Sequence, residues 1–132
     1  MKILVLDDDE RLMRTMVRRL RRAGHDVEGF TAVGDAFRVL EQGGGVDLFI
    51  SDFDLSDPGW NGVLVIQRVV KEDLAQYTIL QSSSTFQTIV EYCRKKDISC
   101  DGIKNFFLKP EQIDLLFRLI GTISESDAPK AK

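Results

Sequence analysis

Apolar positions along this chain follow two periods that alternate from one end to the other. Short runs bounded by polar turn residues read as strands: Lys2 to Leu6, a weaker Asp26 to Phe30, Val46 to Asp52, Thr78 to Ser82, and Phe106 to Leu108. Between them, apolar residues recur at helical spacing. The first such set is Leu12, Met13, Met16, Val17 and Leu20, ending near Gly24, with Arg11, Arg14, Arg18, Arg19, Arg21 and Arg22 on the opposite arc as a solvated or docking face. Thr31 is placed to cap a second helix with Val33, Ala36, Phe37 and Leu40 inward. Val63, Leu64, Ile66, Val69 and Val70 mark a third helix; Phe86, Ile89, Val90 and Cys93 mark a fourth. Ile113, Leu116, Phe117 and Ile120 mark a fifth, and Ser124 to Lys132 is an unpatterned tail or linker after a domain of residues 1–123.

Five strands alternating with five helices predict an α/β fold, a doubly wound parallel sheet with right-handed crossovers and helices on both faces. The flavodoxin-like strand order 2-1-3-4-5 fits the count and sets the first and third strands side by side. Ligands of such sheets bind outside the carboxyl ends of the strands. Three of those ends carry charge: Asp7-Asp8-Asp9 after the first strand, Asp52 closing the third, and Lys109-Pro110 after the fifth.

Carboxylates about 4 Å apart repel by roughly 4 kcal/mol at an effective dielectric near 20, so three in one pocket call for a cation or a proton. An all-oxygen site suits Mg²⁺, which commonly joins a carboxylate to a phosphoryl oxygen. Lys109 is placed to pair with another anionic oxygen, and Ser82, ending the fourth strand, to donate a hydrogen bond. Taken singly, Asp7 to Asp9 would also suit a helix start, Asp52 a strand-end cap, and Lys109 a solvated turn.

Composition narrows the functional classes. The 132 residues make one domain that needs no disulfide or metal staple. With 18 basic and 21 acidic residues the net charge is -3, which provides no electrostatic footprint for direct nucleic-acid binding. Cys93 and Cys100 lack redox or zinc spacing, and His25 lacks a ligand partner at metal spacing. A strand begins right after Met1, and no run approaches the ~18 apolar residues of a membrane span, so no membrane association and a cytoplasmic location are expected.

The Asp7-Asp8 pair, Asp52 after its hydrophobic strand, the hydroxyl at Ser82 and Phe-Leu-Lys-Pro at 107–110 together resemble the response-regulator receiver domain of two-component signalling, from Lys2 to about Ile123. The resemblance implies that Asp52 accepts a phosphoryl group from the phosphohistidine of a histidine kinase or phosphotransfer protein. It implies Mg²⁺ held by Asp8 directly, Asp7 through water, Asp52, and the Asp54 backbone carbonyl. It also makes Ser82 and Lys109 the phosphoryl-oxygen partners, Phe106 the switch aromatic, and Lys109-Pro110 a candidate cis peptide. The protein would then catalyse its own phosphorylation and dephosphorylation without being a conventional enzyme. It would signal to an output domain or partner, with homodimerisation through the fourth helix, fifth strand and fifth helix, where Leu115 and Leu119 form an apolar pair.

Four departures accompany the match. The family's proline and glycine, four and eight residues after the acceptor, come two residues late as Pro58 and Gly62, so the loop is longer. Asp54 adds an acid, Gln81 is polar in a usually apolar strand, and Ser83 shares the hydroxyl assignment with Ser82. Two alternatives accompany the reading: a pseudo-receiver that binds partners without phosphorylation, and, from Asp52-Phe53-Asp54, a haloacid-dehalogenase-like phosphatase, whose motif however belongs on a first strand.

Overall fold

The computed structural model describes residues 1–127 and contains the expected alternation of strand and helix. The elements are β1 (Lys2–Leu6), α1 (Glu10–Arg22), β2 (Asp26–Phe30), α2 (Val33–Leu40), β3 (Val46–Asp52), α3 (Gly62–Lys71), β4 (Ala75–Ser82), α4 (Phe86–Lys95), β5 (Phe106–Leu108) and α5 (Ile113–Asp127). All neighbouring strands are parallel, in the order β2-β1-β3-β4-β5. That order puts β1 and β3 together, with Leu6 opposite Ser51, so Asp7 and Asp52 leave adjacent strand ends.

Both faces of the sheet are covered, which is why its central strands are apolar at successive positions rather than alternate ones. Leu4, Leu6 and Phe49 pack with Phe37, Leu40, Ile66 and Ile89 on one side. Ile3, Val5, Leu48 and Ile50 pack with Met16, Val17, Leu20, Leu116 and Ile120 on the other. The two-residue strand period carries the second alternation on to Asp7 after Val5, to Asp52 after Ile50 and to Gln81 after Ile79. These three polar side chains therefore share the α1–α5 face at its carboxyl edge.

The structure corrects several local expectations. Leu12 is 50% exposed at the edge of α1, outside the core stripe, and Val70, Phe86 and Val90 are exposed as well. On each helix a nearby residue of the same stripe takes the core position: Met13 and Met16 on α1, Ile89 and Cys93 on α4. The N-cap of α2 is Ala32, not Thr31; it offers no side-chain acceptor, and the Asp57 carboxylate reaches from the β3–α3 loop to take the Val33 N–H at 2.6 Å. β4 begins three residues earlier than Thr78, at Ala75, because its amino end pairs with Val46. α5 runs four residues past Ile123, through Asp127, and 128–132, the rest of the expected tail, lie outside the described residues. The arginine arc of α1 is only partly solvated, since Arg19 stacks on Phe117 at 4.0 Å and Arg21 donates to the Val27 carbonyl at 2.8 Å. Among the described residues, no helix is long and apolar enough to cross a membrane.

Candidate functional site

Three carboxylates meet at the carboxyl edge of β1 and β3. One oxygen from each of Asp7, Asp8 and Asp52 lies within 4.8 Å of the others. Asp7 and Asp52 are buried, and Asp8 is half-buried. Lys109 follows β5, whose register opposite β4 carries it to the same edge, and its ammonium bridges the two buried acids, 3.0 Å from Asp52 Oδ1 and 3.2 Å from Asp7 Oδ2. The peptide between Lys109 and Pro110 is cis, as the resemblance suggested.

One lysine shared by two buried carboxylates leaves a net negative charge, and burial decides the outcome. Desolvation pushes Asp52 up to about 7, against the opposing pull of Lys109 and with further upward pressure from Asp7 and Asp54. Asp7 is raised for the same first reason, although the Asp9 N–H donates to it at 3.0 Å and Lys109 opposes the shift. Burial pulls Lys109 down, but Asp52 and Asp7 outweigh it, so the ammonium stays charged. A divalent cation held by these acids would remove the remaining repulsion without a proton. The donor set is carboxylate oxygen throughout, with no His or Cys among it, which fits Mg²⁺.

Asp8 is held differently. Its Oδ2 accepts a hydrogen bond from Ser56 Oγ at 2.8 Å, and Ser56 belongs to the lengthened β3–α3 loop. That loop is anchored beyond Ser56 by Asp57 on α2 and by Trp60, whose ring centroid lies 5.6 Å from that of Phe37. It closes on Gly62, whose N–H donates to the Phe53 carbonyl at 2.8 Å. A Cβ at Gly62 would collide with the Asp52 carbonyl oxygen and sit 2.6 Å from Leu80 Cδ1, so only glycine lets α3 start against the end of β3. The late glycine thus fills the close-approach position despite the longer loop.

The remaining predicted residues take distinct places. Asp54 is exposed on the loop two residues past Asp52. Ser82 is fully buried at the end of β4, its Oγ accepting from the Ser84 N–H at 3.0 Å and its carbonyl accepting from the Lys109 N–H at 2.7 Å. Ser83, the next residue, lines a cavity of about 550 Å³ beside Asp52 and Lys109. Leu12, Met16, Ile113 and Phe117 supply the apolar wall of that cavity, and Gln81 joins it with Oε1 buried and without a hydrogen-bond partner among the described residues. Phe106 is half-buried with its ring 5.2 Å from that of Phe86. The roles of Ser56 and Asp57 were missed from sequence. The available signal was the two extra residues between Asp52 and Pro58.

No protein-family sequence model matches the chain, and no curated protein matches it. Its structure is similar to many solved ones. The response regulator TrrA of Thermotoga maritima, solved in complex with Mg²⁺-BeF, has a TM-score of 0.73 at 22% identity, covering 92% of this chain and 97% of that one. A CheY-like receiver domain protein of Methanospirillum hungatei gives 0.73 at 20%, covering 94% of each chain. The chemotaxis regulator CheY4 of Vibrio cholerae gives 0.71 at 18%, covering 92% and 97%. With five parallel strands in the order 2-1-3-4-5 and helices on both faces, the fold of this chain is that of the response-regulator receiver domains.

Proposed function

We propose that the protein is a phosphoacceptor module of two-component signalling, with Asp52 as the acceptor. The observation that carries the reading is the buried Asp52 carboxylate, ending a central strand, paired with Lys109 at 3.0 Å and grouped with Asp7 and Asp8. In the proposed transfer, an Asp52 oxygen bonds to phosphorus as the bond from the donor imidazole nitrogen to phosphorus breaks. Such chemistry asks the protein mainly for positioning and for stabilisation of the charge on the transferring oxygens. Lys109 provides a cation 3.0 Å from the acceptor oxygen, and the buried setting of Asp52 strengthens that interaction. Asp7, Asp8, Asp52 and the Asp54 carbonyl would hold Mg²⁺, which when bound neutralises the acids and the incoming phosphoryl charge. Ser82, by a turn of its hydroxyl away from the Ser84 N–H, supplies a donor to a phosphoryl oxygen.

The donor on this reading is a histidine kinase or phosphotransfer protein, met in the cytoplasm. The output is a change at α4, β5 and α5, where Phe106 leans on Phe86 and Leu115 is exposed for a partner or a second copy of the chain. The test is intact-mass analysis after incubation with a small phosphodonor and Mg²⁺. Wild type gains the mass of one phosphoryl group and Asp52→Asn gains none. Equal gain in both proteins would move the acceptor elsewhere, and no gain in wild type that nonetheless binds Mg²⁺ would leave a binding module without phosphorylation.

A further inference from the structure

Each acid of the cluster needs a partner to fix the direction in which its free oxygen points. Asp7 has the Asp9 N–H and Lys109, and Asp52 has Lys109. All of these come from the β1 and β5 strand ends. Asp8 lies two residues beyond the end of β1 and is half-buried, and the Lys109 ammonium is engaged by Asp7 and Asp52. Its hydrogen bond comes from Ser56 at 2.8 Å.

Ser56 is itself kept in place. The residue after it caps α2 through the 2.6 Å bond from the Val33 N–H to Asp57, where Ala32 has no acceptor to offer. Two residues past Pro58, Trp60 packs on Phe37 of the same helix. The loop is thus tied to α2 on one side of Ser56 and to the end of β3 on the other, and the hydroxyl is presented to Asp8 by a fixed backbone. Both side chains with this job, Ser56 and Asp57, fall in the stretch before Pro58 where the loop is two residues longer than the family spacing.

We propose that Ser56 is a positioning residue for Asp8: its hydroxyl engages Oδ2 and so leaves the other carboxylate oxygen directed toward the cation that Asp7, Asp8 and Asp52 share. The proposal rests on the Mg²⁺ reading of the acidic site. A ligating carboxylate that is itself hydrogen-bonded binds metal more tightly because less freedom is lost on binding. The Ser56 hydroxyl bonds to Asp8 and contributes no charge, and neither Asp7 nor Asp52 draws its shift from Ser56, so its effect belongs to affinity for the cation and not to the acidity of the buried pair.

The experiment is isothermal calorimetry of Mg²⁺ alone with wild type, Ser56→Ala and Ser56→Thr, together with metal-free thermal melting of each. Ser56→Ala is expected to weaken Mg²⁺ binding by about three- to tenfold, the lower part of the range for groups that support metal ligands because this hydrogen bond is exposed. Ser56→Thr, which keeps the hydroxyl, restores wild-type affinity, and the metal-free melting temperatures coincide. Unchanged or tighter binding in Ser56→Ala overturns the positioning role while leaving the Mg²⁺ site intact. Weakened binding in both variants, or a matching fall in metal-free melting temperature, assigns the effect to loop packing and overturns it as well. Absence of Mg²⁺ binding in wild type removes the site reading itself.

Discussion

The two sides of the acidic cluster are built in opposite ways. On the β5 side, Lys109 reaches two buried carboxylates from a strand end that the sheet hydrogen bonds hold in register, and charge in a dry setting does the work. On the α2 side, an eight-residue loop from Asp54 to Asn61 reaches the third carboxylate with an exposed neutral hydroxyl, and its stiffness comes from a borrowed helix cap and one ring contact. Few groups suffice on the first side because desolvated charge interacts strongly. The second side needs several weak anchors because each exposed hydrogen bond contributes only about 1 kcal/mol. The proposed acceptor, Asp52, sits where the strong side holds it, and on the proposed reading metal affinity would be tuned from the weak side.

The largest expected effect tests whether the loop side has a rigid point after all. Gly62→Ala puts a methyl group against the Asp52 carbonyl and Leu80, both of which are fixed by the sheet, and should cost about 3 kcal/mol in urea unfolding. A loss below about 0.5 kcal/mol would mean that the start of α3 can slide, and that the loop governs the end of β3 less than the packing suggests.

Lys109→Met strips the cation from the strong side and leaves two buried acids facing each other. A loss of about 2 kcal/mol is expected in metal-free protein near pH 8, less than for a fully buried pair because Lys109 is partly accessible. Phosphoryl incorporation from a small donor should slow by about 100-fold, as for removal of one preorganised charge-stabilising donor. Stability and rate are both read on the same preparation, and an unchanged rate would remove Lys109 from the transfer.

Asp52→Asn reports the charge balance of that side through pH. The folded carboxyl titrates at about 7, above its ordinary value of 3.8, so between those values the folded state holds more protons than the unfolded one. Stability from this group is therefore fully present below pH 3.8 and lost as pH rises through 7. Without metal, Asp52→Asn should be more stable than wild type by about 1 to 2 kcal/mol at pH 8, and the difference should vanish near pH 4. Mg²⁺ should stabilise wild type more than the variant. A stability difference independent of pH would show that ionisation of Asp52 is not what strains the site.

The smallest effect belongs to the loop's anchor. Asp57→Ala removes the carboxylate from the amino end of α2 and should cost about 1 kcal/mol, measured by thermal or denaturant unfolding, with emission from Trp60 shifting as its packing on Phe37 loosens. Unaltered emission would place the restraint on Trp60 in its own ring contact and not in the cap.

Much of this site is legible in the sequence because its parts follow from strand period and strand order. Once Val5 and Ile50 are placed on one face, a step of two residues sets Asp7 and Asp52 on that face, and the order β2-β1-β3 makes them neighbours. Lys109-Pro110 was likewise readable as a strand-end signal. Leu12, Val70, Phe86 and Val90 were not readable as exposed, since apolar spacing gives the width of a stripe but not which edge the neighbouring elements leave open. The cap of α2 was assigned to Thr31 because capping rules look only along the chain, whereas the acceptor came from Asp57, 24 residues away.

By itself, the sequence determined the alternation of strands and helices, the two-sided core and the presence of acids and a lysine at strand ends, because these depend on local periodicity and on rules of chain connection. Tertiary structure alone decided how each of those charges is held. Whether Lys109 pairs with one acid or both, whether Ser56 meets Asp8 or water, and how far burial lifts Asp52 all depend on distances between segments far apart in the chain. Hydrogen bonds and charge interactions change steeply over an ångström or two, a resolution that residue spacing does not carry.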